Sequence, residues 1–249
     1  MTLSRTITST ESGTSVEEIA EDLFRISTPI PPEVMPGGFT FNQFLILDDE
    51  PLLFHTGPRR LFEVTRDAVQ HVLPIERLRF IAFSHVEADE CGSLNDWLRA
   101  APSSEPLCSQ IGAMVSISDL ADRPPRGLAD GEQVTLGRHR ITWLATPHLP
   151  HGMECGYFFE GRTRTLLCGD LFSQSGHQVP AVKSSQASIW EQSESFRVGF
   201  PYYANLRDPK PLIEKLAANE PELLACMHGS SYRGDGASLL RQLGEVLAE

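Results

Sequence analysis

Phe80-Ile81-Ala82-Phe83-Ser84-His85-Val86-Glu87-Ala88-Asp89-Glu90-Cys91-Gly92 is an apolar run that breaks into one imidazole and three carboxylates within six residues. The apolar part reads as a buried strand and the polar part as the loop that leaves it. Carboxylates at the end of a buried strand are costly to desolvate unless something positive neutralises them. A pair of metal ions is the simplest neutraliser, and a His-x-Glu-x-Asp spacing lets one loop wrap donors around both. Taken by itself, the cluster is equally a solvated, charged turn. The rest of the chain decides between the two.

Three more strand-to-loop junctions carry donors of the same kind. Thr146-Pro147-His148-Leu149-Pro150-His151 follows an apolar strand over residues 139–145. Leu166-Leu167-Cys168-Gly169-Asp170 places Asp170 just past another, and Ala225-Cys226-Met227-His228-Gly229 ends a third on His228. Each junction is unremarkable alone, since Gly-Asp is a common turn and a lone histidine is usually a satisfied hydrogen-bond partner. Four strand ends offering His or carboxylate in this order are what a dinuclear site on one rim of a sandwich requires.

The chain has 249 residues, 41% hydrophobic and 22% charged, which is ordinary globular usage. A net charge of −12 and a pI near 5.1 argue against nucleic-acid or anionic-membrane partners. No apolar run approaches the roughly 20 residues that span a bilayer. Five cysteines, odd in number and without Cys-x-x-Cys spacing, suggest a reducing, cytoplasmic setting with no disulfide framework. Residues 1–15 are rich in Ser and Thr without an apolar signal core, and read as a flexible leader before a single domain over 16–249.

Strands are expected over 21–26, 39–47, 51–55, 79–83, 106–108, 132–136, 139–145, 155–160, 164–168 and 223–227. Helical spacing predicts helices over 59–73, after a Ser93 cap, over 110–121, 209–219 and 236–248, with a loop-and-helix excursion over 184–205. This alternation predicts an α/β fold of two mixed sheets face to face with helices outside, a four-layer αββα sandwich.

In their joint order these motifs resemble the metallo-β-lactamase fold, from about residue 20 to the C-terminus. Glu87 stands where hydrolases of that fold typically show His, a mark of its diiron branch, the oxygen-binding domain of flavodiiron proteins. Tyr202-Tyr203-Ala204-Asn205-Leu206, His228-Gly229 and Tyr232-Arg233 are similar to further elements of the same branch. The resemblance implies one ion held by His85, Glu87 and His151, another by Asp89 and His228, and Asp170 bridging both. Carboxylates and imidazoles without thiolate suit Fe, or Mn, better than a structural Zn site.

Three positions depart from the pattern. Glu90 stands where the family has His; as a ligand it would give the second ion three carboxylates and one imidazole. His148 and His151 both lie in the Thr-Pro element, and His151, nineteen residues before Asp170, fits the family spacing better. His55 occupies a position where the fold usually places Asp, and could hydrogen-bond a ligand or be a satisfied turn residue. Cys91 adjoins Glu90 and could approach the ions, although most of the cysteines read as small buried residues; Phe172 reads as core, although following Asp170 it could line a pocket.

The resemblance implies a non-haem diiron protein that binds or reduces O2 or NO, as oxidoreductase or sensor. No flavodoxin-like domain and no Gly-rich phosphate loop follow His228, so no FMN site is expected and electrons would come from an external donor. Family members pair head to tail so that a neighbour's flavin reaches the irons; a homodimer is compatible with the resemblance, although here that geometry has no flavin to serve. The alternative is a hydrolase acting on a small substrate through a metal-bound hydroxide, disfavoured because extra anionic ligands reduce Lewis acidity. A sensor without turnover is the third reading.

Overall fold

The computed structural model describes residues 5–249. Eight strands form the first sheet in sequence order: β1 (Thr6–Ile7), β2 (Ser15–Ala20), β3 (Leu23–Ile30), β4 (Phe39–Ile46), β5 (Leu52–Phe54), β6 (Phe80–Ala82), β7 (Glu105–Ser109) and β8 (Arg126–Leu128). Neighbours are antiparallel from β1 to β5 and parallel from β5 to β8. The parallel half is made by crossovers that carry the helices Phe62–Gln70 and Leu94–Ala100. The second sheet contains β9 (Gln133–Thr135), β10 (Arg140–Ala145), β11 (Gly156–Glu160), β12 (Thr165–Gly169), β13 (Val182–Lys183), β14 (Leu223–Cys226) and β15 (Ser231–Arg233), in the order 13-15-14-12-11-10-9.

The two sheets bury their inner faces against each other. Phe44, Phe54, Ala82 and Leu107 of the first meet Trp143, Phe158, Leu167 and Ala225 of the second. Phe158 is edge-on to both Phe54 and Trp143, with ring centroids 5.9 and 5.0 Å apart. Burying each such side chain contributes about 1.5–3 kcal/mol. Within the second sheet the Trp143 ring needs a bare neighbour on β11: a Cβ on Gly156 would lie 2.4 Å from Trp143 Cζ2. Outside the first sheet, Ala68, Val69 and Trp97 cover Leu45, Leu53 and Ile81. Outside the second, Ile213, Leu216, Leu239 and Leu243 cover Leu166 and Leu224. The result is the expected four-layer αββα sandwich.

Several local expectations are corrected. Residues 1–4 of the expected leader lie outside the described residues, and the remainder is not free: Thr6–Ile7 pairs with Ser15–Val16. Ser93 precedes its helix but does not cap it; its hydroxyl donates backward to the carbonyls of Thr56 (2.7 Å) and Gly57 (3.0 Å). The helix over 110–121 contains a π segment at Ala113–Ile117. Strands β1, β2, β8, β13 and β15 were not foreseen, and β14 is followed by β15 where the chain was expected to turn to its last helix. Among the described residues no helix is long and apolar enough to cross a membrane.

Candidate metal centre

The proposed donors come together at one rim, beyond the carboxyl ends of β6, β12 and β14 and in the loop after β10. His85, Glu87, His151 and Asp170 form one group and Asp89, Glu90 and His228 a second, the donor atoms in each lying within 4.8 Å of one another. His151 Nε2 is 2.9 Å from His85 Nε2 and 2.8 Å from Glu87 Oε2. Asp170 faces both groups. Its Oδ2 lies 3.6 Å from His85 Nε2 and 3.5 Å from His151 Nε2, while its Oδ1 lies 3.2 Å from His228 Nε2. His228 Nε2 is also 3.3 Å from Asp89 Oδ2.

Glu87 ends the extended backbone, and the short helix Ala88–Cys91 then turns Asp89 and Glu90 inward. Glu90 is fully buried, its carbonyl fixed by a 2.7 Å hydrogen bond from the Thr56 amide. The other expected candidates are placed elsewhere. His148 has a left-handed backbone (φ 66°) and is exposed, Cys91 Sγ donates to the Glu87 carbonyl at 3.3 Å, and Phe172 is packed in the core.

Each imidazole is oriented from behind. His151 Nδ1 donates to the Tyr202 carbonyl and His228 Nδ1 to the Thr40 carbonyl, both at 2.8 Å, which aims each Nε2 at the group, where its lone pair becomes available to an ion once the Nε2 proton leaves. His85 is set by a longer chain. A thioether sulfur can only accept, so His55 Nδ1 donates to Met227 Sδ at 2.8 Å. His55 Nε2 must then accept from Ser84 Oγ at 3.1 Å, and Ser84 Oγ accepts from His85 Nδ1 at 2.9 Å. Burial pushes His55 down to about 3, which keeps it neutral as this chain requires. Gly169 makes room for it, since a Cβ there would lie 2.9 Å from Ser84 Oγ.

Removing this relay should cost metal affinity without removing a donor. Ser84→Ala and His55→Leu are each expected to weaken metal binding about 10–100-fold, the usual cost of losing a partner behind a metal-binding imidazole. Chelator competition measures it. Unchanged affinity in Ser84→Ala would reduce His55 to a packing residue.

The electrostatics describe a site built for positive charge. Hydrogen bonds from His151 and His85 hold the Glu87 carboxyl down at about 2. Burial works against the His228 cation, but the carboxylates of Asp170 and Asp89, 3.2 and 3.3 Å from its Nε2, outweigh it and raise the group to about 10. Burial, with Asp170 and Asp89 alongside, pushes Glu90 well above the carboxylate range. Neither Glu90 oxygen meets a hydrogen-bond donor. Asp170 Oδ1 is at ion-pair distance from His228 but likewise has no hydrogen bond of proper geometry. Buried oxygens with no donor cost free energy unless a cation satisfies them, so the residues present fit bound metal.

A cavity of about 420 Å³ opens onto the group, floored by Glu87, Asp89, His151, Asp170 and His228 and walled by Met35, Phe39, Phe41, Phe196, Phe200 and Tyr202. Phe39 stacks on His228 with centroids 4.2 Å apart, and Phe41 meets it edge-on. Sequence reasoning missed Thr40, Ser84 and the aromatic walls as parts of the site. Ser84 carried a signal, adjoining His85 in the quoted run; the Thr40 and Tyr202 carbonyls carried none, because any residue supplies one.

Two facing mixed sheets, helices outside and donors gathered at the strand ends of one rim define a metallo-β-lactamase-like fold. Residues 39–229 match the family described as ODP family beta lactamase, and the chain belongs to that family. It is 26% identical over 212 residues to the rubredoxin-oxygen oxidoreductase of Megalodesulfovibrio gigas, covering 80% of this chain and 50% of the relative. It is 24% identical over 216 residues to the nitric oxide reductase of Moorella thermoacetica, covering 82% and 52%. The chain thus spans about half the length of these relatives. The metal-soaked Flv1 flavodiiron core of Synechocystis sp. superposes with a TM-score of 0.80 at 21% identity, over 95% of this chain and 61% of that one.

Proposed function

We propose that the protein holds a dinuclear non-haem metal centre, diiron in its working form, that binds or reduces O2 or NO with electrons from an external donor. The observation that carries this reading is the arrangement of seven donors in two groups that share Asp170 beneath an apolar cavity. The names of the relatives, an oxygen oxidoreductase and a nitric oxide reductase, support the choice of diatomic. His85, Glu87 and His151 would hold one ion, Asp89, Glu90 and His228 the other, with Asp170 between them. Such a pair supplies two electrons and open coordination positions for a small ligand.

The chain's own residues do the rest. The Tyr202 and Thr40 carbonyls and the Ser84 hydroxyl hold three Nε2 atoms inward. Phe39, Phe41, Phe196 and Phe200 limit water at the cavity wall, which favours a small apolar gas over an ionic substrate. The carboxylate-rich donor set counts against hydrolysis, since it reduces the Lewis acidity needed to activate water.

The test is anaerobic reconstitution with Fe(II), followed by rapid mixing with O2 or with NO. Loss of the ferrous spectrum with two electrons delivered per chain is the expected result. A chain that takes up two iron ions yet reacts with neither gas rules the reading out.

A further inference from the structure

The two donor groups are chemically unequal, and the inequality comes from one residue. The first group offers two imidazoles, His85 and His151, with Glu87 and one oxygen of Asp170. The second offers a single imidazole, His228, with Asp89, Glu90 and the other oxygen of Asp170. Glu90 is built into place: it is fully buried, both its oxygens lack a donor, and its backbone is tied to Thr56. Thr56 is held in turn by Ser93 Oγ and Trp97 Nε1, which donate to its carbonyl at 2.7 and 3.0 Å.

We propose that Glu90 makes the second subsite selective for a harder ion, so that the centre sorts a mixed supply, with Mn(II) at Asp89–Glu90–His228 and Fe(II) at His85–Glu87–His151. The inference rests on the dinuclear reading above. Imidazole favours Fe, and carboxylate oxygen favours Mn. Fe(II) binds most sites more tightly than Mn(II), but that difference cancels here. The comparison is between two arrangements of the same two ions, so only the difference between the donor sets decides. Four carboxylates around two divalent ions also leave the centre formally neutral, which suits ions of higher charge.

The experiment gives the metal-depleted full chain one equivalent each of Fe(II) and Mn(II) without oxygen. Anomalous diffraction across both absorption edges then reads the occupancy of each subsite. The expected result is an excess of at least about tenfold for Mn at the Glu90 subsite over the reverse arrangement. In E90H, which gives both subsites two imidazoles, the excess should fall to near unity; in E90Q, which keeps the shape but loses the anion, it should drop several-fold.

Two ions bound without preference in the wild-type chain, or with the order reversed, would overturn the sorting and leave the dinuclear reading intact. An order that survives unchanged in E90H or E90Q would overturn the role of Glu90. Fewer than two ions per chain would bring down the dinuclear reading itself, and this proposal with it. The wild-type measurement decides even where a variant does not fold.

Discussion

Asp170→Ala is expected to abolish paired metal binding, with affinity falling at both subsites by at least about a hundredfold, the upper end of what losing an indirect partner costs. The reason is geometric. Asp170 is the donor whose two oxygens face the two groups, Oδ2 toward His85 and His151 and Oδ1 toward His228. His151→Ala makes the contrast: it removes a donor from the first group alone and should leave one ion in place. Metal content after desalting, with calorimetric titration, separates the two patterns. A variant lacking Asp170 that still retains two ions would show that the carboxylate is not shared.

Metal affinity should rise steeply between about pH 6.5 and 9. Without metal, His228 stays protonated up to about 10, because the Asp170 and Asp89 carboxylates beside it overcome burial. Burial and the neighbouring carboxylates push Glu90 in the same direction, well above the ordinary carboxylate range. Binding requires His228 to deprotonate, so the ion displaces its proton, which contributes about 1.4 kcal/mol per pH unit to the gain in affinity. The metal-free protein responds with the opposite sign. A group whose folded pKa is raised gives stability that is complete below its unfolded value and is lost as pH climbs through the folded one. For His228 that window runs from about 6.5 to about 10. The melting temperatures of the metal-free and metal-loaded forms, at fixed free metal, should therefore diverge as pH rises. Parallel curves would mean that binding releases no protons.

Sequence reasoning reaches the sandwich because its strong signals are local. The apolar runs around Phe44, Trp143 and Leu166 carry strand and core together, and donors at strand ends show in the adjoining loops. It fails where a strand is recruited by tertiary pairing. Ser15–Ala20 starts on the last residue of the expected leader and carries Glu17 and Glu18 side by side, which hides strand alternation; its place is fixed by pairing with β3. Arg126–Leu128 follows two prolines and contains Gly127, which spells loop, yet it pairs with β7.

The site shows the same division. His148 and His151 are three residues apart in an aperiodic loop, and what separates them is backbone: a left-handed turn at His148 and a carbonyl from Tyr202 waiting for His151. The burial of Glu90 was also hidden. Nothing in a run of His, Glu, Asp and Glu says which carboxylate the helix will turn inward.

Each donor group takes members from both sheets. His85, Glu87, Asp89 and Glu90 leave the first, whereas His151, Asp170 and His228 leave the second. Four carboxylates thus face one another across the seam, and the separation in sequence is long, 66 residues between His85 and His151. The far end of the sandwich is held differently: Asp48, in the turn after β4, accepts at 2.7 Å from the amide of His139, in the turn between β9 and β10. An ion seated at the rim therefore works as a clasp on a book whose spine is already sewn. On the proposed function, metal supply would set how firmly the two leaves close at the rim where the cavity opens.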